Sequence, residues 1–180
     1  LGWSGINIEP VPRWFDLLVA DRPRDINLRL AAGASAGEVI FHEFLDTGLS
    51  TAIDRHAERH ERNGFQRRTY AVPVRPLRDI CAEHVRGEIH FLKIDVEGAE
   101  REVLQGCDFA RYRPWIVVIE ATEPLLPAVA SYADWEDILL DAGYEFVADD
   151  IVNRYYLSRE HQELKRALPI GITAQMHRAG

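Results

Sequence analysis

Short apolar runs with the two-residue period of strands alternate along this chain with segments whose apolar residues recur at helical spacing. That alternation leads to an α/β fold with a mostly parallel sheet. Strands are expected over residues 5–9, 26–31, 37–44, 70–74, 89–96, 115–119, 144–148 and 154–157. Helices are expected from Pro12 up to Pro23, over 53–61, from Pro76 to a cap at Gly87, over 98–105 with Gly106 as C-cap, from Ser131 to Gly143, and over 159–168. The run 115–119 is the most apolar and reads as the central strand. Pro73 places its strand at an edge. The last two strands are joined by a segment too short for a parallel crossover, so they form an antiparallel hairpin. One domain over 1–168 and a C-terminal tail over 169–180 complete the expected layout.

Composition narrows the function classes. Of the 180 residues, 47% are apolar and 28% charged, which suits a folded core. No run approaches the roughly 20 apolar residues of a membrane-spanning helix, so no membrane partner is expected. The net charge of −8 repels phosphate backbones and argues against nucleic acid. Two cysteines, Cys81 and Cys107, make no disulfide framework and fit a reducing, cytoplasmic setting. Cys81 reads as a core residue, and nothing marks Cys107 as a thiolate. His56 and His60 share a helical face, but Ala57 stands where a zinc protease needs its Glu. Their neighbours Arg55, Arg59, Glu61 and Arg62 mark a solvated face, and no metal site is expected.

In open α/β sheets, ligands bind beyond the carboxyl ends of the strands. Here those ends are acidic: Glu9, then Asp95 with Glu97, then Glu120. A carboxylate such as Glu9 can accept two hydrogen bonds from a ribose diol, or it can simply favour the start of the helix behind Pro10. Asp95 and Glu97 precede Gly98, which lets the chain turn sharply into a helix; either can act in a site or cap that helix. Glu120 can meet a ligand or face solvent.

The stretch Phe91-Leu92-Lys93-Ile94-Asp95-Val96-Glu97-Gly98-Ala99-Glu100, continuing Val103-Leu104-Gln105-Gly106, resembles the signature of the FkbM-type family of S-adenosylmethionine-dependent methyltransferases. Further matches are Gly5-Ile6-Asn7-Ile8-Glu9-Pro10, Thr47-Gly48-Leu49-Ser50-Thr51 and Pro114-Trp115-Ile116-Val117-Val118-Ile119-Glu120, in the family's order and spacing. The resemblance implies a Rossmann-like class I fold. It also implies methyl transfer from S-adenosylmethionine, usually to a hydroxyl of a sugar or secondary metabolite. By position, Glu9 would bind the cofactor ribose. Asp95 would lie beside the methionine end and the incoming acceptor, as both a cofactor-binding and a catalytic residue. Ser50, in the 47–51 loop, would line the cofactor cleft, while Glu97 and Glu120 would meet a small-molecule or saccharide acceptor.

One part of the family pattern has no counterpart. The chain opens at Leu1, its single methionine is Met176, and no strand with a glycine-rich turn precedes residues 5–9. The chain is therefore read as a piece of a longer polypeptide whose first strand is missing. A competing reading is a non-catalytic Rossmann-like binding domain that has lost its cofactor loop. An NAD-linked oxidoreductase would need the same turn and leaves the 93–100 stretch unexplained.

Overall fold

The structure is a computed structural model and describes residues 2–168. The tail expected over 169–180 lies outside the described residues. The chain begins with strand β1 (Ile6–Ile8), helix α1 (Pro12–Asp21) and strand β2 (Ile26–Leu28), and β1 and β2 pair in parallel. Pro12 starts α1 because its ring presets the helical φ and its missing N–H is one the first turn leaves unpaired anyway. None of the α1 side chains is fully buried, so its apolar residues Trp14, Phe15, Leu18 and Val19 are only partly covered.

A three-stranded sheet follows, from β3 (Ala31–Ala32), β4 (Gly37–Phe44) and β5 (Arg67–Arg75), in the order β3-β5-β4. Helix α2 (Asp54–Arg62) lies between β4 and β5 in the chain. The expectation that Pro73 marks an edge strand is corrected here: β5 is the middle strand, parallel to β3 and antiparallel to β4. Proline is tolerated because β3 is only two residues long and pairs with Val74 and Arg75, one step beyond Pro73.

Helix α3 (Leu77–His84), strand β6 (Phe91–Ile94), helix α4 (Glu100–Gln105) and strand β7 (Ile116–Glu120) lead into the main sheet. A small hairpin of β8 (Thr122–Glu123) and β9 (Leu126–Ala130), absent from the sequence reading, turns at Leu125 with φ 62. A single 3-10 turn and helix α5 (Glu136–Asp141) then precede the closing hairpin, β10 (Tyr144–Asp149) and β11 (Asn153–Ser158). The segment after β11, expected as an α-helix, is 3-10 with a kink at His161. The main sheet runs β10-β11-β7-β6: β6 and β7 are parallel, and β11 is antiparallel to both its neighbours.

The fold is therefore mixed α/β, with the expected C-terminal antiparallel hairpin. The expected mostly parallel sheet is corrected: the described strands form four separate sheets with parallel and antiparallel pairs. The reason is local pairing. Among the described residues β1 pairs only with β2, and β6 pairs only with β7, so no continuous sheet joins them. β6 is accordingly an edge strand with one exposed face, although the apolar run Phe91-Leu92-Lys93-Ile94 reads from the sequence as a buried strand. Its Phe91 is 55% exposed, while Ile94 is 2% exposed.

The main core gathers on β7, whose Val117 and Ile119 are fully buried, with Ile94, Leu104, Trp135, Leu139 and Tyr156 around them. Each such side chain contributes about 1.5–3 kcal/mol by leaving water. Tyr144 is also fully buried, and its hydroxyl donates to the Pro114 carbonyl at 2.7 Å. Burial pushes its phenol pKa up, so it stays a donor at any physiological pH. Tyr144→Phe leaves that carbonyl unpaired in the core and is expected to cost about 1–2 kcal/mol in urea unfolding. No helix among the described residues is long and apolar enough to cross a membrane.

Candidate functional site

A cavity of about 790 Å³ opens between the β1–β2 pair and the main sheet. Ile6 and Ile8 of β1 line one side, and Leu92 and Ile94 of β6 line the other. Glu9, Thr47, Gly48, Ser50, Asp95 and Glu97 also line it. Four of the five residues singled out from the sequence (Glu9, Ser50, Asp95 and Glu97) thus meet at one cavity, although they lie up to 88 positions apart (97 − 9). The fifth, Glu120, sits at the end of β7 outside the lining, but its carboxylate, with those of Asp95 and Glu97, lies within 4.8 Å of the others.

Glu9 follows β1 directly. One carboxylate oxygen, Oε1, accepts the Val11 N–H at 2.7 Å, so the side chain supports the start of α1 while lining the cavity. Burial raises its pKa, the Val11 bond opposes the rise, and Glu43 adds to it. The 47–51 loop is held by its own hydroxyls. Thr47 Oγ1 donates to the Phe44 carbonyl at 2.8 Å, and Ser50 Oγ accepts the Phe44 N–H at 3.1 Å. Ser50 is thereby fixed where it lines the cavity.

The acidic end is built by the turn between β6 and α4. Asp95 is half-exposed and pairs with Lys93 Nζ at 3.0 Å; the same ammonium donates to Asn153 Oδ1 at 2.7 Å. Glu97 and Gly98 have φ values of 52° and 102°, two successive left-handed residues that reverse the chain. This is the position where Gly98 is required by backbone conformation. Burial, then the charges of Asp95 and Glu100, push the Glu97 carboxyl up to about 7. Burial and the same acidic neighbours, Glu97 first, push Glu120 up to about 8. The rise at Glu120 reflects the repulsion that carboxylates at this spacing create.

Three supporting residues were not singled out from the sequence, although Thr51 belongs to the 47–51 loop expected to line the cleft. Glu100 is 4% exposed, and its carboxylate accepts the Gly98 N–H at 3.1 Å. A signal existed: a Glu at the start of a helix, just after a glycine turn, is placed to reach back to backbone N–H groups. Thr51 is fully buried and donates to the Glu97 carbonyl at 2.8 Å. His56 is 2% exposed, with Nδ1 3.2 Å from the same carbonyl.

The reading of His56 and His60 on a solvated helix face is corrected by that burial. The arginines around them occupy the other faces of α2, while His56, Ala57 and His60 point inward. Burial lowers the pKa of both histidines, so both are neutral at pH 7. His60 packs edge-on against Phe44 and Phe65. Cys81 and Cys107 also line the cavity, and burial raises both thiols, Cys107 up to about 12, which keeps them protonated.

An acidic turn after β6, a second carboxylate after β1 and a hydroxyl-rich loop around one cavity agree with the comparison against protein families. The family model described as Methyltransferase FkbM domain matches residues 1–146, from ahead of β1 to within β10. No curated protein and no solved structure matches the chain. With four-fifths of its length matched and the signature turn folded around the cavity, the chain belongs to the FkbM methyltransferase domain family.

Proposed function

We propose that this domain takes S-adenosylmethionine as its methyl donor and methylates a hydroxyl oxygen of a small-molecule or saccharide acceptor. The observation that carries this reading is the single cavity with carboxylates at separate strand ends: Glu9 after β1, and Asp95 with Glu97 after β6. The donor set suits the cofactor. Glu9 has an oxygen beyond the one held by Val11 with which to accept from a ribose diol. Asp95 and the ionised fraction of Glu97 supply a negative field for a cationic sulfonium and ammonium, while Glu120, pushed up to about 8, stays largely protonated at neutral pH. When bound, S-adenosylmethionine supplies a methyl group already activated by the positive sulfur. The work left to the chain is then alignment and proton handling. In this reading Asp95, the exposed member, orients the acceptor hydroxyl and takes its proton. Glu97 and Glu120 border the acceptor, and Ser50 lines the cofactor side. The domain works in the cytoplasm.

The same reading gives the fold a finer description. β1 and β6 each pair on one side only, and both line the cavity. One further strand between them would join β2, β1, β6, β7, β11 and β10 into the sheet of a Rossmann-like class I methyltransferase.

Calorimetric titration tests the proposal. S-adenosylmethionine is expected to bind, and Glu9→Gln, which turns one acceptor oxygen into a donor, is expected to weaken it about tenfold. Absence of binding to the protein overturns the reading. Binding without transfer to any hydroxylated acceptor favours the non-catalytic alternative.

A further inference from the structure

Two residues distant in the chain reach the Glu97–Gly98 turn: Thr51, in the loop after β4 and bridged to it, and His56 of α2. Both converge on one atom, the Glu97 carbonyl oxygen. Thr51 is anchored before it does so. Its backbone exchanges two hydrogen bonds with His42 of β4, at 2.9 and 3.0 Å, and its Oγ1 accepts the Ile53 N–H at 3.0 Å. The hydroxyl proton is thereby directed at Glu97. His56 is fixed equally: Arg55 Nε–H donates to its Nε2 at 3.1 Å, with Glu123 Oε2 3.4 Å from the same nitrogen, and in the tautomer that accepts from Arg55 the Nδ1 proton faces the carbonyl. The imidazole lies against the backbone of Gly98. A Cβ built on Gly98 would stand 2.4 Å from His56 Cε1 and 2.6 Å from Nδ1.

We infer that His56 and Thr51 are positioning residues that hold the Glu97–Gly98 turn, and through it the Glu97 carboxylate, at the cavity. This rests on the methyltransferase reading, in which Glu97 contributes to the field around the cationic cofactor. The geometry is more specific than core packing requires. Two hydroxyl or imidazole donors, both buried, are spent on one carbonyl whose residue has a left-handed backbone. A left-handed non-glycine residue holds that conformation only when its surroundings over-determine it. Without the two donors, the turn can relax to an ordinary φ and swing the carboxylate away.

The test is a double-mutant cycle read by calorimetric affinity for S-adenosylmethionine. His56→Phe keeps a ring without the donor, and Thr51→Val keeps the shape without the hydroxyl. Each is expected to weaken binding about tenfold, as is Glu97→Gln. His56→Asn, whose amide can donate from near the Nδ1 position, is expected to restore affinity to within about twofold of wild type. If the two residues act through Glu97, adding either change to Glu97→Gln brings no further loss. Additive losses, or Thr51→Val and His56→Phe both binding as wild type does, overturn the inference while leaving the methyltransferase reading intact. Failure of the wild-type protein to bind overturns the reading itself.

Discussion

Gly106→Ala is expected to destabilise the domain by about 3 kcal/mol or more, although it replaces a poor helix former with the best one. Gly106 ends α4 with φ −79°, a conformation any residue adopts, so backbone strain plays no part. The cost is steric. A Cβ at this position would lie 2.1 Å from the Gly33 carbonyl oxygen and 3.1 Å from its carbon. Both obstacles are main chain, and Gly33 is itself tied to β5 by its N–H to the Arg75 carbonyl at 3.2 Å. Relief requires α4 to move off the turn that precedes β4. Because α4 follows directly on the Glu97–Gly98 turn, the movement also displaces the acidic end of the cavity. Gly87→Ala provides the comparison. Nothing lies within 4 Å of its Cβ position, and its change is expected to stay within about 0.5 kcal/mol. Urea unfolding of both variants separates the two cases, and a Gly106→Ala protein as stable as wild type would mean that α4 and the Gly33 turn do not pack as described.

Gly106 also shows where local sequence stops being informative. Its place after a helical run marks it as a C-cap. The structure keeps the helix end but gives the glycine a different reason, a carbonyl 73 positions away (106 − 33). Contacts across that distance leave no local pattern. The strand-end carboxylates were legible because an apolar run followed by Asp, Glu and Gly is itself local. Their convergence followed from the α/β fold, which places strand ends together. The face of α2 was not legible, because its inward positions carry His56, Ala57 and His60 where a hydrophobic scale looks for Leu or Val. The same holds for Thr51, whose role depends on where β4 and the β6–α4 turn meet. The sheet was only half legible. Periodicity identified most strands, but it carries no information on the bare edges of β1 and β6, which depend on which strands are present to pair.

The stability of the domain is expected to fall as pH rises from about 6.5 to 9, by an amount on the order of 2 kcal/mol, and Glu120→Gln is expected to remove most of that fall. Glu97 and Glu120, raised to about 7 and about 8, keep their protons in the folded state at a pH where an unfolded chain, with glutamate near 4.5, has lost them. The folded state therefore binds more protons across this interval, and raising the pH favours unfolding. The stabilising contribution of the two protonated acids is complete below about 4.5 and is lost as pH climbs through 7 and 8. His56 and His60 act in the opposite sense. Burial holds them below the ordinary 6.5, so their penalty falls on the acid side, where the unfolded chain takes up protons that the folded one refuses. The two effects oppose each other below 6.5, and only the carboxyl effect remains above it. That makes the alkaline side the clean window. Gln at position 120 keeps a donor for Asp95 in place of the acid proton and never ionises. The variant is expected to be the more stable protein at pH 8.5 and close to wild type at pH 6. Urea unfolding followed by tryptophan fluorescence at these two pH values measures the difference. A wild-type stability that holds level or rises between them would mean that the acidic cluster is fully ionised in the folded protein and solvated well enough to bear it.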